Sequence, residues 1–175
     1  MFNPLIRIIL VCISLIATFF YFMKEEYLNM SMMLVAAVLF IYGHYRYGTV
    51  YIALQELNKG NYEKAEKLIS KIKNSDTLNK RQKSYYHFIR GAITSNNKDW
   101  EKSYSQWSKA LEIGLRTEND TSIALLNLAH IELERKNFKE ANELIKKIRE
   151  LNLKPLIESE VDRIQNEINV AQQHA

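Results

Sequence analysis

Apolar positions along this chain of 175 residues fall into two regimes. Up to about residue 47 they run almost unbroken; beyond it they recur three and four apart among charged residues. Positions 8–23 hold no charge, and Leu5 and Ile6 extend the run past Arg7. At 1.5 Å per residue, 5–23 covers roughly 28 Å, close to the hydrocarbon thickness of a bilayer. The expectation is a first membrane span over about 5–23, with Arg7 near its end reaching the headgroups. A cleaved signal peptide is the rival. Against it, Thr18, Phe19, Phe20, Tyr21 and Phe22 are bulky where a small-residue cleavage site should lie, and a second apolar run follows at once. After Lys24, Glu25 and Glu26, that run predicts a second span over about 28–45, with Tyr27, Tyr42, Tyr45 and Tyr47 as interface anchors. The short connection requires an antiparallel helical hairpin. Small residues Ser14, Ala17, Thr18, Ala36 and Ala37 permit close packing within it.

Beyond residue 47 the 3.6-residue period predicts helices over about 47–59, 61–73, 79–96, 100–115, 121–136, 138–151 and 156–172. Gly60 reads as the residue after a helix end, and Asn61 as the cap of the next helix. Only Gly43 and Gly48 could break the chain between Ile41 and Tyr51, so the second span can run on into the first helix beyond it. Within this half, three stretches repeat: Asn61-Tyr62-Glu63-Lys64-Ala65, Asp99-Trp100-Glu101-Lys102-Ser103 and Asn137-Phe138-Lys139-Glu140-Ala141. The aromatics at 62, 100 and 138 stand 38 residues apart both times. The same shift superposes Ala53, Gly91 and Ala129 in the first helices. In the second helices it superposes Ala65, Ser103 and Ala141, then Ile69, Trp107 and Ile145, then Ile72, Ala110 and Ile148. One helix pair is written three times, small where helices cross closely and large where the core is filled.

This pattern resembles the tetratricopeptide repeat (TPR) over roughly 46–153. The family has a small residue midway along its first helix, an aromatic opening the second, and a small residue three further on. The unit around Asn127-Leu128-Ala129 and Asn137 to Ala141 resembles it most closely, and Gly60-Asn61-Tyr62 with Ala65 also fits. Thr49, His87 and Leu125 replace the usual large aromatic of the first helix, Arg90 replaces an apolar residue, and the period is four residues longer than usual. The resemblance implies an all-α fold in which a solenoid of three helix pairs follows the transmembrane hairpin. It also implies a concave surface, lined by the first helices, that takes a partner peptide or helix. The corresponding positions are Tyr47, Tyr51 and Leu54, then Tyr85, Ile89 and Ala92, then Ile123, Asn127 and His130, with Phe88 beside the second set. These residues are either a binding groove or part of the core. Family members that grip a free carboxylate use paired Lys/Arg and Asn, and only Asn127 matches here. Residues 154–175 keep Ile157, Val161, Ile164, Ile168 and Ala171 at helical spacing, read as a capping helix, with a coiled-coil dimer stripe as the sharper alternative.

Composition narrows the chemistry. Beyond residue 47 the chain carries 21 Lys/Arg and 18 Asp/Glu, interleaved as on a solvated helical face, and this argues against a nucleic-acid partner. Cys12 is the single cysteine and lies within an apolar run. His44, His87, His130 and His174 lack metal-ligand spacing; His87 reads as a packed replacement for the usual aromatic, and Glu132 and Glu134 as surface charges. Lys80, Arg81 and Lys83 read as a solvated helix start. No catalytic set, cofactor motif or small-molecule substrate is evident, so an enzyme is not expected. Arg7 and Arg46 favour both termini in the cytoplasm of a bacterial-type inner membrane. The expected function is a membrane-anchored TPR scaffold or adaptor for protein partners beside the lipid bilayer. The alternative is a structural subunit of a membrane-protein complex whose hairpin makes the key contacts. The expected domains are the hairpin 1–46, the repeats 47–153 and the capping segment 154–175.

Overall fold

The computed structural model describes residues 4–173, and the side chains of 4–8, 43–47 and 173 lie outside that description. The side chains of Arg7, His44, Tyr45, Arg46 and Tyr47, and the whole of His174, with the roles expected of them, therefore lie outside the description. The described chain is all-helical: α1 (Pro4–Met23), α2 (Tyr27–Asn58), α3 (Tyr62–Ile69), α4 (Lys80–Asn96), α5 (Trp100–Ile113), α6 (Glu118–Glu134), α7 (Phe138–Arg149) and α8 (Pro155–Gln173). One 3₁₀ turn, Ser75–Thr77, stands between α3 and α4. The chain divides into two compact units within α2, after Ile52.

The first unit carries α1 and the larger part of α2. Among the described residues no helix is long and apolar enough to cross a membrane. This overturns the expected spans over 5–23 and 28–45, and with them the two-span inner-membrane location. Ser14 and Ala37 are buried, whereas large apolar side chains such as Ile16 (69%) and Leu28 (78%) are exposed.

The second unit stacks helices in chain order: α4 packs on α3 and α5, α5 on α6, α6 on α7, and α8 on both α6 and α7. Its core holds the repeated positions. Ala53 and Ala129, Ala65, Ser103 and Ala141, and Ile69, Trp107 and Ile145 are all buried. Ile72 is only half-buried, because α3 stops at Ile69, earlier than the pattern suggests.

The three helix reversals are one turn made three times. Gly60, Lys98 and Lys136, 38 residues apart, have φ of 79°, 58° and 61°. In each case the amide at that position donates to the carbonyl three residues back, of Leu57, Ser95 and Leu133. The following amide donates to the carbonyl five residues back, from Asn61 to Glu56, Asp99 to Thr94 and Asn137 to Glu132. This double bond closes a helix with a left-handed residue, a conformation that glycine takes freely and lysine does not. Lys24-Glu25-Glu26 repeats the same turn after α1, with Glu25 at φ 58°.

Asn61 and Asn137 do not cap by their side chains, contrary to expectation. Their amide groups donate backwards instead, to Glu56 Oε2 at 2.9 Å and Glu132 Oε2 at 2.8 Å. Glu132 is thus buried (4% exposed) and not a surface charge. Its other oxygen accepts from Arg135 at 2.8 Å. Asp99 does cap, accepting from the Lys102 amide at 3.3 Å, and Thr117 caps α6 by accepting from Asp120 at 3.1 Å. That threonine starts α6 three residues before the expected position.

Helix α8 lies in phase with the repeat. α4 shifted by 38 residues coincides with α6, and α6 shifted again gives 156–172, within the bounds of α8. Val161, Ile164 and Ile168 are buried on its packed side.

Candidate functional site

The second unit holds an open cavity of about 390 Å³ among the end of α2, the start of α3, and α4, α5 and α6. Repetition builds it. Tyr62 and Trp100, which follow the first two left-handed turns, stand on two of its walls, and Asn58 and Asn96 occupy equivalent positions one repeat apart. Phe88 and Trp107 form its floor, their rings edge-to-face at 4.8 Å. Ile123, Asn127 and His130 face it from α6.

The floor is rigid because Gly91 admits the indole. A Cβ at Gly91 would lie 2.7 Å from Trp107 Cδ2, so only glycine lets the ring lie flat on α4. Trp107 Nε1 donates to Ser95 Oγ at 3.0 Å, and Ser95 in turn pairs with Ser103 Oγ. Ser95, held by Ser103, therefore satisfies the one polar atom of a ring that is otherwise buried.

On the α6 wall, Asn127 Nδ2 donates to the Ile123 carbonyl at 2.8 Å. The Trp100 ring meets His130 edge-on at 5.7 Å. His130 Nε2 lies 3.9 Å from Glu134 Oε1, and its buried Nδ1 has no hydrogen-bond partner. The lining holds no Lys, Arg, Asp or Glu, in a protein whose charged content is 25%.

Of the groove residues expected from sequence, Phe88, Asn127 and His130 line this cavity, as do Ala92 and Ile123. Ile89 is fully buried in the core and unavailable to a ligand. Tyr85 is half-buried and engaged, its hydroxyl donating to Asp120 Oδ2. Burial, then this bond to the carboxylate, push its phenol up to about 12. Leu54 is half-buried against the core. Tyr51 is 43% exposed and belongs to the first unit. Tyr62 and Trp100 also line the cavity, although neither is among the groove positions expected from sequence. Their 38-residue phase with Asn58 and Asn96 was the available signal.

Two further polar sites serve packing. His87 is buried, with Nδ1 2.7 Å from Gln106 Oε1 and its ring edge-on to Tyr86, as expected of a replacement aromatic. Burial is the main reason its pKa is lowered, and Lys109, Lys83 and Arg90 add to this. Arg135 bridges Glu101 at 2.6 Å and Glu132 at 2.8 Å, with its guanidinium 4.6 Å from the centre of the Tyr104 ring. Among the described residues no group of three or more His, Cys, Asp or Glu could hold a metal ion. No protein-family model, curated protein or solved structure matches this chain.

Proposed function

We propose that the chain is a protein-interaction scaffold of TPR-like α-solenoid architecture. Its helix pairs over 47–153 form three units, and α8, within 154–175, covers the last of them. The cavity carries this reading: an uncharged, aromatic-lined opening at the seam of successive repeats in an otherwise charged protein. Such a lining favours an apolar side chain of a partner, because burial of apolar area drives association and no lining charge is stripped of water. The lining offers no nucleophile paired with a base, so binding is favoured over catalysis.

A second reading has its own support. The exposed apolar side chains of the first unit, among them Ile16, Phe19, Leu28 and Leu39, form the kind of surface that another protein covers. On that reading the chain is a structural subunit held through its first unit, and the repeats stabilise the complex.

One comparison separates the two. Ala92→Phe fills the cavity, and Ile16→Glu with Leu28→Glu charges the first unit. An identified partner should be lost from co-purification with Ala92→Phe and kept with the double glutamate variant, at unchanged helicity. The reverse result would sink the scaffold reading in favour of the subunit.

A further inference from the structure

In the middle helix pair, three positions that pack apolar side chains elsewhere carry polar ones. Leu125, Leu128 and Leu144 join the core of the third pair, where the middle pair has His87, Arg90 and Gln106. The first pair has Thr49, Ile52 and Leu68 at those places. Giving up leucine burial lowers stability, and packing alone does not account for it. A local departure of this kind is what a fold shows where it is fitted to a ligand. We propose that this face of α4 and α5 binds a phosphate that keeps an ionisable proton, either free phosphate or a phosphate monoester. Arg90 and Lys109 grip its charged oxygens, and His87 Nε2 shares its proton. The site has no residue in common with the aromatic cavity and stands independently of the scaffold reading.

Lys83, His87 and Arg90 follow one another at i, i+4 and i+7, so one face of α4 presents all three. Gln106 and Lys109 stand one turn apart on α5, and Gln106 is joined to His87 by the 2.7 Å bond. The charges of Lys109, Lys83 and Arg90 all bear on the imidazole, which in turn acts on Asp76 of the 3₁₀ turn. Lys83 Nζ lies 2.6 Å from Asp76 Oδ1, so that pair adds no net charge. Arg90 is half-buried and Lys109 exposed, and among the described residues neither has an acidic partner. Two uncompensated cations thus remain beside the ring. A guanidinium presents a planar fork of donors suited to phosphate oxygens, and an ammonium presents a compact charge.

The tautomer decides which anion fits. An amide oxygen only accepts, so Nδ1 of His87 carries the hydrogen that is donated to Gln106 Oε1. In the neutral ring Nε2 then offers a lone pair, and burial with the surrounding cations keeps the ring neutral near pH 7. Nε2 has no partner, yet it is not sealed: the buried unpartnered nitrogen among the described side chains is His130 Nδ1. A fully ionised anion, such as sulfate or a phosphodiester, would set oxygen lone pairs against this one. A phosphate monoester, whose second ionisation falls at about pH 6, brings a proton to place between the two atoms. Held there, that proton makes the contact a hydrogen bond, while Arg90 and Lys109 offset the remaining charge.

The experiment titrates the full chain by calorimetry at about pH 7.5, where His87 is neutral. Inorganic phosphate or ethyl phosphate should bind at one site per chain. Sulfate and dimethyl phosphate should bind about tenfold more weakly, the worth of one hydrogen bond. As pH falls through the lowered value of His87, sulfate should gain on phosphate, because Nε2 becomes a donor. Arg90→Leu restores the residue type of the third pair and should weaken phosphate about tenfold or more. Its urea midpoint should be unchanged or raised, which separates lost binding from lost folding. Tighter binding of ethyl phosphate than of phosphate assigns the group to a monoester, and the reverse assigns free phosphate; both support the site. The proposal is overturned if phosphate does not saturate, or if sulfate or dimethyl phosphate binds as tightly at neutral pH. Phosphate binding that survives Arg90→Leu overturns it as well. Each of these failures leaves co-purification through the cavity, and hence the scaffold reading, untouched.

Discussion

Gly91 and Trp107 offer a direct test of how the repeats are packed. The other two units place alanine and isoleucine at these positions, Ala53 with Ile69 and Ala129 with Ile145. In the middle unit the volume is redistributed, less on the first helix and more on the second. Gly91→Ala would set a methyl group 2.7, 2.9 and 3.1 Å from three ring atoms of Trp107, where carbon contacts relax at about 3.5–4.0 Å. The indole cannot retreat, because it is 1% exposed, bonded to Ser95 and pressed edge-on by Phe88. Overpacking of this kind costs about 1–3 kcal/mol, while alanine regains about 1 kcal/mol of helix propensity over glycine. The net loss expected is about 0–2 kcal/mol. Trp107→Ile alone leaves a void beside the glycine and should cost about 2–4 kcal/mol. Together the two changes reproduce the pairing of the flanking units, so the double variant should be less destabilised than the sum by about 1–3 kcal/mol. Urea unfolding followed by far-ultraviolet circular dichroism measures all four corners of the cycle. Additivity within about 0.5 kcal/mol would refute the exchange of volume across the helix pair.

Two further outcomes are expected. Lys98→Gly and Lys136→Gly should each raise the urea midpoint, worth up to about 1 kcal/mol, since both lysines sit at positive φ. Gly60→Lys should lower it, although nothing lies within 4 Å of a Cβ there, and a lysine-to-glycine change that destabilises would contradict the account. The second concerns pH. His87 has a lowered pKa in the folded chain, so the unfolded chain binds the proton more readily. Stability is complete above about 6.5, the unfolded value, and is lost as pH falls from there through the folded value. His87→Gln should lose less stability than the parent between about pH 7.5 and pH 5 in matched urea titrations; equal slopes would remove His87 from the explanation.

The sequence exposed the repeated helix pairs because their aromatics and small residues recur at a fixed distance. Helix starts at Trp100 and Phe138 lie where the periodicity puts them. The turns were half visible. Gly60 signals a left-handed residue, but Lys98 and Lys136 adopt the same backbone with no sequence mark, held there by the paired amide bonds around them. Asn61 and Asn137 read as caps because that is what asparagine before a helix most often does, yet Glu56 and Glu132 compete for their amides. The phase of α8 was hidden because Glu167 falls where the earlier units have Ala53, Gly91 and Ala129. The candidate site was legible only in part. A stripe at i, i+4 and i+7 placed Ile89 on the open face with Phe88 beside it, and the helix is in fact rotated so that Ile89 points into the core. The walls supplied by Tyr62 and Trp100 depend on how neighbouring pairs stack, which is a tertiary fact. The two-span expectation failed because no helix among the described residues is both long and apolar enough to cross a membrane.

The threefold turn has a consequence for the order in which the chain folds. Each reversal is closed by bonds between residues three to five apart. Forming it fixes a short loop and gives up little chain entropy, so it proceeds on the timescale of local helix formation. The corners at Gly60, Lys98 and Lys136 thus set the direction of the next helix before any distant contact exists. Helices then dock laterally on their neighbours in the chain, a low-contact-order process that favours rapid folding.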